Sequence, residues 1–249
     1  MAPSKIGPAF RIIRFETLPS TNSWMREHLG ELDNLSVVTT PCQTQGRGQR
    51  GNRWLSAPGE NLTFSVLLRP ESLPATQQMR LTALSTVALR EVLMEEGFPV
   101  KIKWPNDLYF GERKLAGMLI ENILQGSEIA ASIIGIGLNV NQVDFDPAIP
   151  NPTSLKRISG RGDYDPDALL ERFLEHLSAW LPRLGSDDLW QAYTSDLFGL
   201  GQRRQWSDAA TGASFYGTIN SVLPDGRLEL LLPDGSPRLF AFKEVGYII

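Results

Sequence analysis

The chain has 249 residues, of which 42% are hydrophobic, enough for the core of one large domain or of a large and a small one. Its formal net charge of −4 argues against a general nucleic-acid binder, which is normally basic overall. The single cysteine, Cys42, excludes an internal disulfide and is typical of a reducing compartment. The first residues lack the apolar run of a signal peptide, and no apolar stretch is long enough to cross a bilayer. We therefore expect a cytoplasmic protein without membrane or nucleic-acid partners.

Hydrophobic periodicity and turn residues predict an alternation of strands and helices over the first 200 residues. The predicted strands are Arg11–Phe15, Val37–Thr40, Asn61–Arg69, Val100–Trp104, Leu108–Phe110, Arg113–Glu121 and Ile129–Val140. The predicted helices are Ser23–Gly30, Pro74–Gly97, Pro166–Leu184 and Ser186–Phe198, with Gly30 and Gly97 as stops. Three short polar residues, Ser20, Thr21 and Asn22, precede the first helix, which Ser20 or Thr21 would cap. The same side chains also suit hydrogen bonding to a small polar ligand.

A glycine- and arginine-rich segment, Gln43–Trp54 (QTQGRGQRGNRW), follows the second predicted strand. Glycine lets the backbone approach a ligand closely, and guanidinium groups match the oxygens of a phosphate or carboxylate. The composition agrees with a lid that closes over an anion. It agrees equally with a solvated linker or with an RGG-like segment that holds RNA nonspecifically.

A second informative segment places a turn, Pro105-Asn106-Asp107, close in the predicted hairpin to Lys114. Taken singly, the turn and the lysine need no function beyond a chain reversal and a solvated strand end. Together they would place a carboxylate and an ammonium on neighbouring strand ends, an arrangement common in phosphoryl chemistry.

Two glycines, Gly135 and Gly137, lie on one face of the last long strand. Either a flat ligand lies on the sheet there, or the glycines mark a bulge or close strand packing. The two histidines, His28 and His176, have no cysteine or carboxylate at metal-ligand spacing, and we expect both at the surface.

The last fifty residues change character. Short β-rich runs are predicted at Ser214–Ile219, Arg227–Leu232, Arg238–Phe242 and Val245–Ile249. Pro224-Asp225-Gly226 and Pro233-Asp234-Gly235 separate them as hairpin turns. The pattern predicts a small SH3-like β-barrel over 201–249, after a catalytic or binding domain over 1–200.

Four motifs occur in a fixed order: GRGQRGNRW (Gly46–Trp54), KWPNDL (Lys103–Leu108), KLAGMLIE (Lys114–Glu121) and GIGLNVN (Gly135–Asn141). In this combination the chain resembles a biotin protein ligase, the biotin–[acetyl-CoA-carboxylase] ligase, in a short form without an N-terminal DNA-binding domain. The resemblance extends from Ser20 to the C-terminal strands.

The resemblance implies an α/β catalytic domain with a mixed sheet and flanking helices, followed by an SH3-like domain. It implies an enzyme that uses ATP and Mg²⁺ to convert biotin to biotinyl-5′-AMP. The biotinyl group then passes to one lysine of a biotin carboxyl carrier domain of a biotin-dependent carboxylase. An exposed sheet edge could pair two copies into a homodimer, as in some relatives.

The resemblance also assigns site residues. The biotin-binding set is Ser20, Thr21, Asn22, Gln43, Gly46, Arg47, Gly48, Gln49, Lys114, Gly117, Gly135 and Gly137. The set for ATP or the adenylate is Arg47, Gln49, Arg50, Asn52, Trp54, Asn106, Lys114 and Asn139. Lys114, Asp107 and Arg47 are the catalytic candidates, and no metal ligand is assigned. Lys114 and Arg47 would offset the repulsion between carboxylate and phosphate. Asp107 would accept a proton from the carrier lysine or, alternatively, cap the turn and hold Lys114.

Two positions depart from the family pattern, because many members carry arginine where this chain has Gln49 and Asn52. The neutral side chains lower the positive charge of the loop and with it the expected retention of the adenylate. Two alternatives stay open: a lipoate–protein ligase, and a noncatalytic module that binds biotin or RNA. Singly spaced glycines favour biotin over lipoate. The presence of both Asp107 and Lys114 favours an enzyme.

Overall fold

A seven-stranded mixed sheet forms the centre of the protein, whose computed structural model describes residues 10–248, the side chain of Arg50 excepted. The strands are β1 (Arg11–Arg14), β2 (Ser36–Thr39), β3 (Leu62–Leu68), β4 (Lys101–Lys103), β5 (Asp107–Phe110), β6 (Arg113–Gln125) and β7 (Glu128–Leu138). Their order across the sheet is β1-β2-β3-β7-β6-β5-β4. Only β1 and β2 run parallel to each other, and the other neighbours are antiparallel.

Helices cover both faces of this sheet. They are α1 (Thr21–Glu27), α2 (Met79–Glu95), α3 (Leu155–Ser159), α4 (Pro166–Trp180) and α5 (Asp187–Thr194). The long helix α2 buries twelve of its residues, and it contacts α4, α5 and the strands β4, β5 and β6. The short helix α1 packs on β2, β3 and β7, where Met25 joins a separate apolar cluster with Val38, Leu67 and Ile133.

The face that α1 covers is the one that matters for the site. Side chains on a strand alternate between faces, so Ala131, Ile133, Gly135 and Gly137 of β7 all point to the α1 side. The first two pack in the apolar cluster with Met25. The two glycines lie further along the strand, where the side chains of Asn22 and Trp54 approach the bare backbone closely.

The C-terminal part forms a second sheet of five antiparallel strands. These are β8 (Arg203–Asp208), β9 (Ser214–Val222), β10 (Leu228–Leu231), β11 (Pro237–Phe240) and β12 (Val245–Tyr247), in the order β11-β10-β9-β8-β12. This arrangement and the mixed sheet confirm the predicted fold class. The division of the chain at residue 201 stays a prediction.

Several element predictions need correction. Strand β8 was not predicted. Helix α1 ends at Glu27 and not at Gly30, because residues Leu29–Glu31 form a separate 3₁₀ turn, in which Glu31 donates its backbone N–H to the His28 carbonyl at 2.9 Å. Helix α2 begins at Met79, because residues Ala75–Gln77 form a separate 3₁₀ turn after Pro74. The last residue of the predicted final strand, Ile249, lies outside the described residues.

Helix α5 is also shorter than predicted. It ends at Thr194, and the next residues pair with β4 instead of continuing the helix. Ile102 donates its backbone N–H to Asp196 and accepts from Phe198, at 2.9 and 2.8 Å.

Both histidines are partly exposed, in agreement with the surface position predicted for them. Two carboxylates of α2 contact His176, with Nδ1 2.9 Å from Glu91 and Nε2 3.2 Å from Glu95. They come from another helix, so sequence spacing along α4 did not indicate them. Within residues 10–248, no helix combines the length and the apolar character that crossing a membrane requires.

Candidate functional site

A cavity of about 670 Å³ opens on the α1 face of the large sheet. It is bordered by the N-terminus of α1, the glycine-arginine loop, the proline-rich loop after β7 and the segment Phe242–Tyr247 of the C-terminal part. It contains every site residue predicted from the sequence except Gly46 and Arg50. The side chain of Arg50 lies outside the described part of the structure.

Gly46 lines a smaller neighbouring cavity of about 260 Å³ instead. A Cβ atom on Gly46 would lie 2.3 Å from the carbonyl oxygen of Trp54, so the loop backbone itself requires glycine there. Gly46 therefore lies apart from the cavity that holds the other predicted biotin-binding residues, and its predicted role stays untested.

One row of residues runs across the sheet beneath the cavity. Register pairs join Lys103 to Asp107, Asp107 to Gly117, Gly117 to Gly137 and Gly137 to Thr63. Directly opposed residues on antiparallel strands present their side chains on the same face. The row therefore carries an ammonium and a carboxylate at the β4–β5 end and bare backbone in the middle.

Polar side chains close the other end of the cavity. Ser65, the register partner of Gly135, donates to Asn22 Oδ1 at 2.6 Å and lies 2.7 Å from Thr21 Oγ1. Gln43 Oε1 accepts from the backbone N–H of Thr21 at 2.8 Å. All four side chains are held by these bonds, so this end is a preformed polar surface with fixed donors and acceptors.

Ser20 has the structural role that the sequence indicated. It is the N-cap of α1, and its hydroxyl accepts from the backbone N–H of Ser23 at 3.4 Å. Because Ser20 also lines the cavity, the cap and the predicted ligand contact are compatible.

The two glycines of β7 are closely covered in this structure. A Cβ on Gly135 would lie 2.2 Å from Asn22 Oδ1, and a Cβ on Gly137 would lie 2.3 Å from the indole of Trp54. Side chains, and not a bulge or a closely packed strand, cover the two glycines, and the contact with a flat ligand stays a prediction. Among the described residues the buried indole N–H of Trp54 has no hydrogen-bond partner, and the Nζ of Lys114 lies 5.8 Å from the centre of the ring.

The ion pair between Lys114 and Asp107 stands beside the glycine row, with Nζ and Oδ1 2.7 Å apart. A β-bulge makes it possible, since the register of β5 and β6 shifts between Leu108 and Tyr109 and leaves Leu115 without a partner on β5. The extra residue Leu115 moves the side chain of Lys114 to the opposite face of β6. Lys114 therefore lies on the same face of the sheet as Asp107. The sequence-based expectation that these two groups meet is confirmed.

The two predicted asparagines have structural contacts. Asn106 is buried, and its amide donates to the carbonyl of Met118, whose N–H returns a bond to the Asn106 carbonyl at 3.0 Å. Asn139 donates to the Thr153 carbonyl at 2.9 Å and so holds the proline-rich loop over the sheet. Both line the cavity, but their side-chain amides are already engaged.

The glycine-arginine loop folds as a small hairpin at the rim. Gly48 and Trp54 donate their backbone N–H groups to Asn52 and Gly46, at 2.7 and 3.0 Å. Arg47 points to Glu121 of β6 and donates to both carboxylate oxygens, at 3.1 and 3.3 Å. Among the described side chains and backbone groups, none bonds to the buried side-chain oxygen of Gln49. Arg47 is thus held by a carboxylate of the protein, beside the cavity that it lines.

Sequence reasoning missed three contributors. Glu121 closes the KLAGMLIE motif but had no assigned role, and Lys103 opens KWPNDL and lines the cavity. Phe242–Tyr247, also part of the lining, lies more than 100 residues further on. The positions of Glu121 and Lys103 inside two of the four motifs could have indicated a role for them in the site. No neighbouring sequence feature indicated the C-terminal segment.

The chain matches the model of the biotin/lipoate A/B protein ligase family over residues 13–139, just over half of its length. It therefore belongs to this family. Within the family, a solved relative with a similar fold is the biotin protein ligase from Aquifex aeolicus in complex with biotin and ATP. That structure superposes with a TM-score of 0.78 at 26% identity, over 95% of this chain and 97% of that one.

Curated relatives point the same way. The bifunctional ligase/repressor BirA of Escherichia coli is 36% identical over 135 residues, which are 54% of this chain. The biotin–[acetyl-CoA-carboxylase] ligase of Paracoccus denitrificans is 29% identical over 171 residues, or 66% of this chain and 70% of that protein. The chain spans only 42% of the length of the E. coli relative.

Proposed function

We propose that this protein is a biotin–protein ligase, which activates biotin with ATP and transfers it to a lysine of a carrier domain. The observation that carries the proposal is the Lys114–Asp107 pair beside a row of bare backbone, with Asn22, Thr21 and Gln43 at the far end. The polar end suits the neutral hydrogen-bonding head of biotin. The bare backbone suits its extended chain, and the ion pair suits its reactive carboxylate. The solved relative in complex with biotin and ATP supports the same substrates.

In the first step, an oxygen of the biotin carboxylate attacks the α-phosphorus of ATP. The bond between the α-phosphorus and the bridging oxygen breaks, and pyrophosphate leaves with the electron pair. Two anions must approach each other for this to happen, and the ammonium of Lys114 offsets their repulsion. Arg47 adds a second positive charge once an incoming anion replaces Glu121.

Magnesium fits this scheme as part of the substrate. Within residues 10–248 no group of three His, Cys, Asp or Glu side chains is placed to hold a metal. Mg²⁺ is commonly bound through substrate phosphates and one or two carboxylates. We expect it to arrive with ATP, where it neutralises phosphate charge.

The glycine-arginine loop has the place of a lid. Biotinyl-AMP is a mixed anhydride that water hydrolyses, so the site must exclude water between the two steps. The hairpin borders the cavity, and Trp54 fills the space above Gly137. Ligand binding there requires the indole to move, and we expect the loop to close again over the adenylate.

In the second step, the amine of a carrier lysine attacks the anhydride carbonyl and AMP leaves. The amine must first lose a proton, since a free lysine has a pKa near 10.4. Asp107 lies in the cavity and is the candidate proton acceptor. Its other role, holding Lys114 in place at 2.7 Å, is compatible with this.

The carrier is expected to be the biotin carboxyl carrier domain of a biotin-dependent carboxylase. The name of the Paracoccus relative supports acetyl-CoA carboxylase as the particular enzyme. Lipoate is the second candidate substrate, because the matched family contains lipoate as well as biotin ligases.

The decisive experiment measures ATP–pyrophosphate exchange by the purified chain with biotin and with lipoate in parallel. We expect exchange that depends on biotin. Exchange with lipoate but not with biotin would reject biotin as the substrate, and no exchange with either acid would reject an acyl-adenylating enzyme.

A further inference from the structure

Lys103 is a partly buried lysine that lines the cavity, and within residues 10–248 its ammonium forms no ion pair with a carboxylate. Its Nζ lies 4.8 Å from the ring centre of Tyr109 and 4.9 Å from that of Tyr247. Both contacts place the ammonium against the face of an aromatic ring. Aromatic faces attract a cation but carry no net charge that could neutralise it.

The nearby carboxylate is already engaged. Asp107 is the register partner of Lys103, but its Oδ1 is paired with Lys114 at 2.7 Å. Burial lowers the pKa of Lys103, Asp107 partly opposes this effect, and the second ammonium at Lys114 lowers the pKa further. Two cations therefore share one carboxylate at this end of the cavity, a charge excess that favours an incoming polyanion.

The position of Lys103 along the sheet indicates which part of a ligand it meets. Strand β4 is the edge strand, three strands from β7, so Lys103 lies roughly 14 Å from Gly137 at the usual spacing of about 4.8 Å. The polar end with Asn22 lies over Gly135 and Ser65, two residues along the strands from Gly137 and its partner Thr63. Lys114 and Asp107 stand between the two ends, where the proposed reaction joins carboxylate to phosphate.

We propose that Lys103 binds the two outer phosphates of ATP, the part that leaves as pyrophosphate. This inference rests on the proposed ligase function. The bond that breaks lies between the α-phosphorus and the oxygen bridging to the β-phosphorus, so negative charge grows on the β-phosphate as pyrophosphate departs. An ammonium fixed beyond Lys114 stabilises that charge.

The two tyrosines keep the lysine extended toward the cavity. Tyr109 belongs to β5 and Tyr247 to β12, so the C-terminal sheet supplies one side of this cage. The transfer half of the reaction involves no pyrophosphate and is therefore independent of Lys103.

The test compares Lys103→Met, Lys103→Arg and the control Lys101→Met. Lys101 lies on the same strand but is exposed and paired with Asp196 at 2.8 Å. In biotin-dependent exchange, Lys103→Met should raise the KM for pyrophosphate and for ATP at least tenfold and leave the KM for biotin within twofold. Lys103→Arg should restore most of the loss, and Lys101→Met should match the parent protein.

Two further measurements complete the design. Single-turnover transfer from preformed biotinyl-AMP to the carrier should be unchanged in Lys103→Met. Calorimetric titration with inorganic pyrophosphate alone should show weaker binding in the same variant, and this readout holds even if neither acid supports exchange. Unchanged pyrophosphate affinity, equal losses for all three substrates, or slower transfer with normal exchange would each overturn the proposal.

Discussion

Arg47 donates two hydrogen bonds to Glu121, at 3.1 and 3.3 Å, so the cationic loop is attached to the protein's own carboxylate. Glu121 also accepts from Asn22 at 2.9 Å and from Arg26 at 3.1 Å. An incoming carboxylate or phosphate must replace Glu121 before it can use Arg47. Arg26 then remains to balance the charge of Glu121.

The first prediction follows from this competition. Glu121→Gln keeps an oxygen for Asn22 but removes the charge that competes for Arg47. The Arg47 side chain is 45% exposed, and exposed ion pairs contribute about 0.2–1 kcal/mol. We therefore expect biotin to bind up to about fivefold more tightly, as measured by calorimetry.

Glu121→Ala is the matched comparison, because it also removes the acceptor of the Asn22 amide. It should bind biotin more weakly than Glu121→Gln does. Tenfold weaker binding by Glu121→Gln itself would mean that Glu121 supports the ligand instead of competing with it.

Lys114→Ala should separate chemistry from binding. The ammonium stands where charge develops on the phosphate, and loss of one fixed donor of this kind typically costs about 3–4 kcal/mol, or roughly a hundred- to thousandfold in rate. The exchange rate should fall by that factor, while the affinity for biotin, measured separately, changes little. Equal losses in both would make Lys114 a binding residue only.

Asp107→Asn should slow the transfer step. The amide keeps the size of the side chain and an oxygen near Lys114, but it cannot accept a proton from the carrier lysine. Single-turnover transfer from preformed biotinyl-AMP measures this step without the first one. Transfer at the parental rate would remove Asp107 from the proton transfer and leave it the structural role.

Gly135→Ala should damage the polar end of the site. The added Cβ would lie 2.2 Å from Asn22 Oδ1, and Ser65 and Leu119 hold that side chain in place. Overpacking of this kind typically costs about 1–3 kcal/mol. We expect both a lower Tm and a KM for biotin raised by about tenfold or more.

Gly30→Ala is the control for this substitution, because a Cβ on Gly30 meets no atom within 4 Å. Its Tm and KM should equal those of the parent. A Gly135→Ala variant with unchanged KM would show that Asn22 can shift without loss of binding.

The sequence was sufficient to predict the strands of the large sheet and nearly half of the residues that line the cavity. Periodicity located β3, β6 and β7 within a few residues, because long buried strands have strong patterns. It missed β8, whose first three residues, Arg203, Arg204 and Gln205, are polar or charged and do not follow a strand pattern. Tertiary pairing with β9 and β12 forms that strand.

Other features depend on register, which the sequence does not state. The bulge at Leu115 decides that Lys114 faces Asp107, and only the pairing of β5 with β6 reveals it. The cover over Gly137 comes from Trp54, more than 80 residues away in the sequence. The same holds for Glu121, which interacts with Arg47 only once β6, α1 and the loop are assembled.

The last prediction concerns stability and pH. Asp208 has a side chain only 6% exposed, and it accepts from Arg238 at 2.6 Å and from the backbone of Ala210 and Thr211. The hydrogen bond from Arg238, with the backbone N–H of Thr211, lowers the pKa of Asp208 below its usual 3.8.

A lowered pKa means that the folded state stabilises the ionised carboxylate of Asp208 more than the unfolded chain does. The stabilisation is therefore fully present above the usual pKa of 3.8 and is lost as the pH falls through the lower pKa of the folded state. Asp208→Asn should lower the Tm at pH 7, and the difference from the parent should shrink steadily at acid pH. Asp33→Asn, at a carboxylate that is 85% exposed, should leave the Tm unchanged over the same range. A Tm difference for Asp208→Asn that stays constant down to the most acid pH would assign the effect to packing rather than to charge.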